Sequence, residues 1–193
     1  MKAHYDIAFI VEPFDVAAEA AMLEDNLHVT MARLDGLTIV AATVLVDGDL
    51  IEDLLTFAIR LSQYGITVIR LDLDLVNQSS IAARCEVSRA AVSQWVSDAR
   101  LHNPFPKPHT VVNGPIWAWS DINEWLRRTG KQCFDDSCSP NPVQVEQFNA
   151  RWRQQRRPDL IIKPRTDWQS VTAAVGSNLG GWVASARKVQ VPV

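Results

Sequence analysis

"SSIAARCEVSRAAVSQWV", residues 79–96, decides how the chain is read. Two short helical patterns stand almost back to back, with a small turn between them. On the first, Ile81, Ala82 and Cys85 share the inward side. Ser79 or Ser80 is placed to cap it, leaving backbone N–H groups free to meet a phosphate. Val87 plugs the turn and Ser88 caps the second helix. There Val92 and Trp95 lie three apart and face inward, with Val96 at their edge. At about 100° per residue, Arg89, Ala90, Ser93, Gln94 and Ser97 share the opposite face. A face that only meets water is expected to carry Glu and Lys. This one has short side chains and a single long cation. Small residues allow close approach to the major groove of duplex DNA, and Arg and Gln supply partners for guanine and adenine edges.

The next stretch, "NPFPKPHTVVNGPIWAWSDINEWLRRTGK", begins with a Pro-rich link carrying Phe105 and Lys107. Two short strand patterns follow, "HTVV" and "PIWAW", joined by Asn113-Gly114, a pair that favours a tight hairpin. Ser120 is then expected to cap a helix with Ile122, Trp125 and Leu126 on its inner side.

Residues 79–96 resemble a helix-turn-helix. With the Pro-rich link, the hairpin and the "WAWSDINEWL" helix, residues 75–131 resemble the winged helix-turn-helix of AlpA- and excisionase-like regulators, related to MerR-type DNA-binding domains. The chain departs from that pattern at Glu86, where the family usually has Gly. The turn residue often takes a left-handed backbone, which costs most side chains about 1 kcal/mol or more. The resemblance implies that Arg89, Ala90, Ser93 and Gln94 read bases in the major groove. It implies backbone contacts from Ser79, Ser80, Arg84, Ser88, Arg100, Lys107, Asn113 and Gly114. Trp95, Trp117 and Trp125 are expected in the core, not as stacking platforms for bases.

Upstream, "HYDIAFIVEP" alternates as a strand, with Tyr5, Ile7, Phe9 and Val11 on one face. Asp15 precedes a helix with Val16, Ala20, Leu23 and Leu27 inward. "HVTMARLDGLTIVAATVLVDGD" reads as a hairpin turning at Asp35-Gly36. Leu50, Leu54, Phe57 and Leu61 mark an amphipathic helix stopping near Gly65. "ITVIRLDL" is a last strand, and Asp72 to Val76 form a hinge. The order β-α-β-β-α-β resembles the ferredoxin-like, split β-α-β arrangement. Its third strand is apolar on both faces: Leu37, Ile39, Ala41 and Leu45 on one, Val40, Ala42, Val44 and Val46 on the other. Helices cover one face of such a sheet, so the open face is a candidate interface for a second copy or for the C-terminal tail.

The fold expected is α+β: a ferredoxin-like module over 1–74, a winged helix-turn-helix over 75–131, a linker over 132–142 and a small, mostly helical, basic region over 143–193. Charge follows this division. Residues 1–76 hold four basic residues against thirteen acids, a net of −9. Residues 77–193 hold fifteen against nine, a net of +6. Such asymmetry suits an acidic module joined to a nucleic-acid-binding one. In "VQVEQFNARWRQQRR", Val145, Phe148 and Trp152 share a helical face ringed by Arg151, Arg153, Arg156 and Arg157. These arginines fit a DNA backbone or the acidic module of the same or another subunit, and the sequence leaves both open. Further on, Thr166 and Gln169 resemble a capping box, Gly176 a helix stop, and "GGWVASARKVQVPV" a small strand. Trp152, Trp168 and Trp182 are too many large rings for a tail that packs against nothing.

Catalysis is not expected. His4, His28, His102 and His109 have no metal-ligand spacing, and "NLGG" at 178–181 lacks the Lys and Ser/Thr of a nucleotide loop. Asp72 and Asp74 are explained by a strand end. Cys85, Cys133 and Cys138 make no disulfide framework and no four-ligand zinc set. No metal or cofactor is expected. The longest apolar stretch, 37–46, is far short of the roughly 18–20 residues of a membrane helix. With no secretory signal read at the N-terminus, the cytoplasm is the expected compartment.

The reading reached is a sequence-specific double-stranded DNA-binding protein, a transcriptional regulator acting as a homodimer through its N-terminal sheet. The alternative is an adaptor, of an antitoxin, phage-defence or recombination-accessory kind, that positions a protein partner on DNA. A ligand-sensing role for the N-terminal module would rest on fold analogy alone.

Overall fold

The computed structural model describes residues 2–25, 27–97 and 103–156, the side chains of Val16 and Leu23 excepted. Arg100, Arg157, Trp168, Trp182, the helix read over 166–176 and the closing strand lie outside the described residues, as do the inward positions given to the Val16 and Leu23 side chains. The elements are β1 Ala3–Val11, α1 Val16–Glu24, β2 Thr30–Leu34, β3 Leu37–Val46, α2 Leu50–Gln63, β4 Val68–Leu71, β5 Leu75–Val76, α3 Gln78–Arg84, α4 Arg89–Ser97, β6 Thr110–Val111, β7 Pro115–Ala118, α5 Trp119–Arg128 and α6 Pro142–Arg156. Helix and sheet are mixed, and two separate hydrophobic cores form.

The first core lies on one face of a four-stranded sheet of order β2-β3-β1-β4, antiparallel throughout. The alternation in β1 sends Ile7, Phe9 and Val11 to that face, beside Val40, Val46, Val68 and Leu71. Asp35 and Gly36 both take positive φ, 50° and 81°, as a two-residue turn matched to strand twist requires. Asp49 caps α2 by accepting from the N–H groups of Ile51 and Glu52 at 2.8 and 3.2 Å. That helix buries Leu50, Ile51, Leu54, Leu55, Ala58 and Leu61. It stops where Gly65 turns left-handed at φ 78°. α1 is rotated from the expected setting: Ala20 is exposed, while Ala18 and Met22 face the core. Nearly all its side chains are apolar, so periodicity does not fix its rotation, and Met22 goes inward as a large apolar group.

α6 closes the first core from the same side. Val145, Phe148 and Trp152 are buried in it, with the Phe148 ring 5.4 Å from that of Phe9. The polar groups of α6 then cover the outer edge of β4. Asn149 accepts from Leu71 N–H at 2.8 Å and donates to Leu71 C=O at 3.0 Å. Trp152 Nε1 and Arg156 both donate to Val68 C=O, at 2.9 and 2.8 Å. Arg151 pairs with Glu52 on α2, and Arg153 donates to Asn149 C=O. Of the two destinations the sequence left open for this helix, it takes the acidic module of its own chain.

The second core gathers Val76, Ile81, Trp117, Trp119, Ile122, Trp125 and Leu126 between α3, α4, α5 and a three-stranded sheet of order β5-β7-β6. α5 starts one residue before the expected cap. Its N-cap position is Ala118, with no side-chain bond, and Ser120 Oγ is buried without a partner among the described residues. The backbone does the work instead: Trp119 N–H donates to Asp74 C=O at 2.8 Å.

The stretch 132–142, read as a linker, is a strap fixed along its length. Cys133 and Phe134 pack on the second core. Buried Asn123 accepts from Asp135 N–H at 2.8 Å and donates to the carbonyls of Asp135 and Ser137. Cys138 then bonds β1 at both of its backbone groups: Asp6 N–H to Cys138 C=O and Cys138 N–H to His4 C=O, each 2.8 Å. It occupies the flank of β1 that β4 is too short to cover, since β4 pairs only with Phe9 to Val11.

Candidate nucleic-acid interface

Each end of α3 is fixed by a local device. Asn77, not Ser79 or Ser80, is the cap: its side chain accepts from Ser80 N–H at 2.9 Å. An Asn two residues before Ser79 performs the same task, and Ser80 Oγ turns back to it at 3.2 Å. Ser79 is exposed. At the other end, Val87 N–H reaches Ala82 C=O at 2.9 Å and Glu86 N–H reaches Ala83 C=O at 3.3 Å. This pair of bonds needs a left-handed residue between helix and exit, and Glu86 has φ 52°. The charged side chain stays exposed, so only the backbone bears the cost.

Ser88 Oγ accepts from Ala91 N–H at 3.1 Å and starts α4. Val92 is fully buried, and Trp95 is half-buried with its ring 5.7 Å from Trp125. Opposite them, Arg89, Ala90, Ser93, Gln94 and Ser97 are all exposed. Ser97 Oγ folds back on Ser93 C=O at 2.8 Å. The remaining side chains of this face have no hydrogen-bonded partner among the described residues. Lys131, which the sequence reading passed over, places its ammonium 4.6 Å over the Trp95 ring and 5.5 Å from that of Trp125, on the anchored side of α4. Its position behind a Gly turn, well beyond the hairpin that ends at Ala118, gave no periodic signal.

The Pro-rich link is held by indoles. Trp117 Nε1 donates to Pro106 C=O at 2.9 Å and Trp125 Nε1 to Asn103 C=O at 3.1 Å. Phe105 sits edge-on to both rings, at 5.6 and 4.9 Å. Lys107 is left exposed. The hairpin that follows is looser than Asn113-Gly114 suggested. Val111 pairs with Pro115, so the loop spans 112–114, with Asn113 at φ 50° and Gly114 at φ 129°. Pro115 has no N–H to close a two-residue turn, and Val112 N–H bonds Gly114 C=O at 3.0 Å. Val111 and Val112 stand exposed at its tip.

Arg84 is placed differently from its neighbours. Its two terminal nitrogens bind both oxygens of Asp74 at 2.6 and 2.8 Å, and its guanidinium lies 4.7 Å over Trp119. It ties α3 to the hinge and is not free for a phosphate. Arg151 and Arg156 are likewise engaged on the first module. Thus Arg89, Ala90, Ser93 and Gln94 come together with Ser79 and Ser88 on the helix pair, while Lys107, Asn113 and Gly114 lie on the link and hairpin beyond it.

Cys85 is buried behind the turn, with its Sγ 3.9 Å from Cys133 C=O. Burial pushes its thiol up to about 12, and hydrogen bonding with Cys133 adds to the shift. Burial of this kind disfavours the thiolate, the nucleophilic form. Among the described residues, no three His, Cys, Asp or Glu side chains gather as a metal site, and no helix is long and apolar enough to cross a membrane. Compared with known families, curated proteins and solved structures, the chain matches none of them.

Proposed function

We propose that this chain binds double-stranded DNA in a sequence-specific way, as a transcriptional regulator with a winged helix-turn-helix and a ferredoxin-like module that dimerises. One observation carries the reading. α4 exposes Arg89, Ala90, Ser93 and Gln94 on one side while Val92 and Trp95 anchor the other, directly after a left-handed turn at Glu86. The face is small enough to enter a major groove and carries bidentate groups for base edges. The β5-β7-β6 sheet beside it supports the wing reading, and the 4-1-3-2 strand order supports the ferredoxin-like one.

Selection of bound fragments from a random duplex library tests it. A defined motif is expected. On that motif Arg89→Ala should weaken binding by about 1–3 kcal/mol and relax preference at one position. An equal loss on all sequences, or no duplex binding in low salt, rejects the assignment.

The adaptor reading has its own support in the exposed apolar residues of the open sheet face, Leu37 and Leu45 on β3 with Leu34 beside them on β2. A monomer that co-purifies with a second protein would favour it over the homodimeric regulator.

A further inference from the structure

We infer that two copies of this chain join through the outer edges of their β2 strands, antiparallel about Ala32, so that the two sheets become one of eight strands. The inference stands apart from the DNA reading and rests on the contrast between the two edges of the sheet.

The β4 edge is closed. Asn149, Trp152 and Arg156 take up the outward N–H and C=O of Leu71 and the outward C=O of Val68. The β2 edge is bare. Its pairing with β3 starts from the two-residue turn at Asp35-Gly36, so Leu34, Ala32 and Thr30 direct their backbone groups to β3. Met31 and Arg33 direct theirs outward, and no partner meets them among the described residues. β2 is short, with no Pro and no bulge, and its one charge is Arg33. That charge is drawn back over its own chain, the guanidinium reaching Phe14 C=O at 3.4 Å.

The surroundings of the edge fit another copy. About an axis through Ala32, Met31 faces Arg33 of the second copy and Arg33 faces its Met31, so every outward backbone group finds a partner. Ala32 faces Ala32, and Thr30 faces Leu34. No like charges meet directly, which matters because opposed like charges destabilise a strand pair. Leu34, 62% exposed, would then extend the apolar open face of one sheet onto that of the other. α1 runs beside this edge, its Glu19 and the preceding Asp15 sharing a cleft with Met31, Ala32 and Arg33. Its exposed positions include Ala17 and Ala20 where a solvated helix would carry polar groups. A strand edge and an alanine-lined helix side by side give a second copy both a ladder and an apolar seat.

Sedimentation of the full chain without DNA, over roughly 1–100 μM, tests this. A dimer is expected. Ala32→Lys places two ammonium groups across the axis and should weaken it at least tenfold, whereas Ala32→Thr should not. Ala32→Cys places two thiols in a pair whose Cα atoms lie about 4.5 Å apart. With oxidised glutathione accepting two electrons and two protons, they should join in a disulfide seen on a non-reducing gel and absent from the native chain. Ala32 is exposed, so unchanged circular dichroism is expected for all three variants. A native chain that stays monomeric overturns the inference. So does a dimer indifferent to Ala32→Lys, or one in which Ala32→Cys forms no cross-link; binding of one chain to a single half-site duplex, measured separately, tests the DNA reading on its own.

Discussion

Asn149 is the residue through which α6 replaces a missing strand neighbour, and two substitutions there probe the docking. Asn149→Ala removes the acceptor for Leu71 N–H and the donor for Leu71 C=O, bonds of 2.8 and 3.0 Å at a half-buried edge. At about 0.5–1.5 kcal/mol per bond, the loss should be about 1–3 kcal/mol. For a chain of this size that lowers the melting temperature by roughly 2–4 °C per kcal/mol. Asn149→Asp separates the two bonds. Its carboxylate still accepts from Leu71 N–H but turns a second oxygen toward Leu71 C=O, with no proton between them. At neutral pH a loss of about 1–2 kcal/mol is expected. Protonation restores a donor, so the folded state raises this carboxyl above its unfolded value near 3.9. A raised carboxyl gives stability that is complete below the unfolded value and is lost as pH rises through the folded one. Urea unfolding of both variants and the parent, followed by tryptophan fluorescence at pH 7 and near pH 4, measures the gap. The Asp variant should approach its parent in acid, and the Ala variant should not. Equal gaps for Asp at both pH values, or a cost below about 0.3 kcal/mol for Ala, would show that α6 does not close the β4 edge through this side chain.

Three further outcomes are expected. Glu86→Gly relieves a left-handed backbone at φ 52°. Against about 1–2 kcal/mol of strain stands about 0.5–1 kcal/mol of extra chain entropy, so thermal unfolding should show a net gain of roughly 0.5–1 kcal/mol. Arg156→Ala should cost stability through its bond to Val68 C=O yet leave the salt dependence of duplex binding unchanged; a slope smaller by about one would return this arginine to the DNA backbone. Cys85, buried and raised to about 12, should resist iodoacetamide at pH 8 in the folded chain while Cys133 and Cys138 react, as peptide mass mapping would show.

Much of the helix pair was legible because its signals are local. Ser88 and Val87 sit within a few residues of what they bond or plug, and Val92 and Trp95 repeat at helical spacing. The cap of α3 was misplaced by the same logic: Asn77, Ser79 and Ser80, three residues within four positions, can each cap, and only φ and ψ decide among them. Arg84 was misassigned for a different reason. Its partner Asp74 lies ten residues away on a hinge with no periodicity, so an arginine near DNA-reading positions looked free. The strap at 132–142 shows the limit most clearly. "QCFDDSCSPNP" has loop composition, and nothing in it announces Asn123 or His4 as partners. Long-range hydrogen bonds leave no pattern in sequence. The amphipathic face of α6 was visible, but its destination was set by shape: Phe148 fits against Phe9, and Asn149 meets the outward N–H and C=O of Leu71.

The two proposals together constrain the DNA site. α6 and the strap attach on the β4 side of the sheet, and the strap leads back to α5 through Asn123. The β2 edge is the far side. In an eight-stranded sheet joined at β2, the two β4 strands are separated by seven strand spacings of about 4.8 Å, roughly 34 Å. That equals about one turn of B-form DNA, the shortest spacing at which paired recognition helices enter successive major grooves on one side. The twist between strands, about 20–25° at each step, rotates the two heads relative to one another. A selected motif should therefore be an inverted repeat whose half-site centres lie no closer than about 10 base pairs. Half-sites that abut or overlap at a shorter separation would be incompatible with β2 pairing, even if every base contact by Arg89 and Gln94 held.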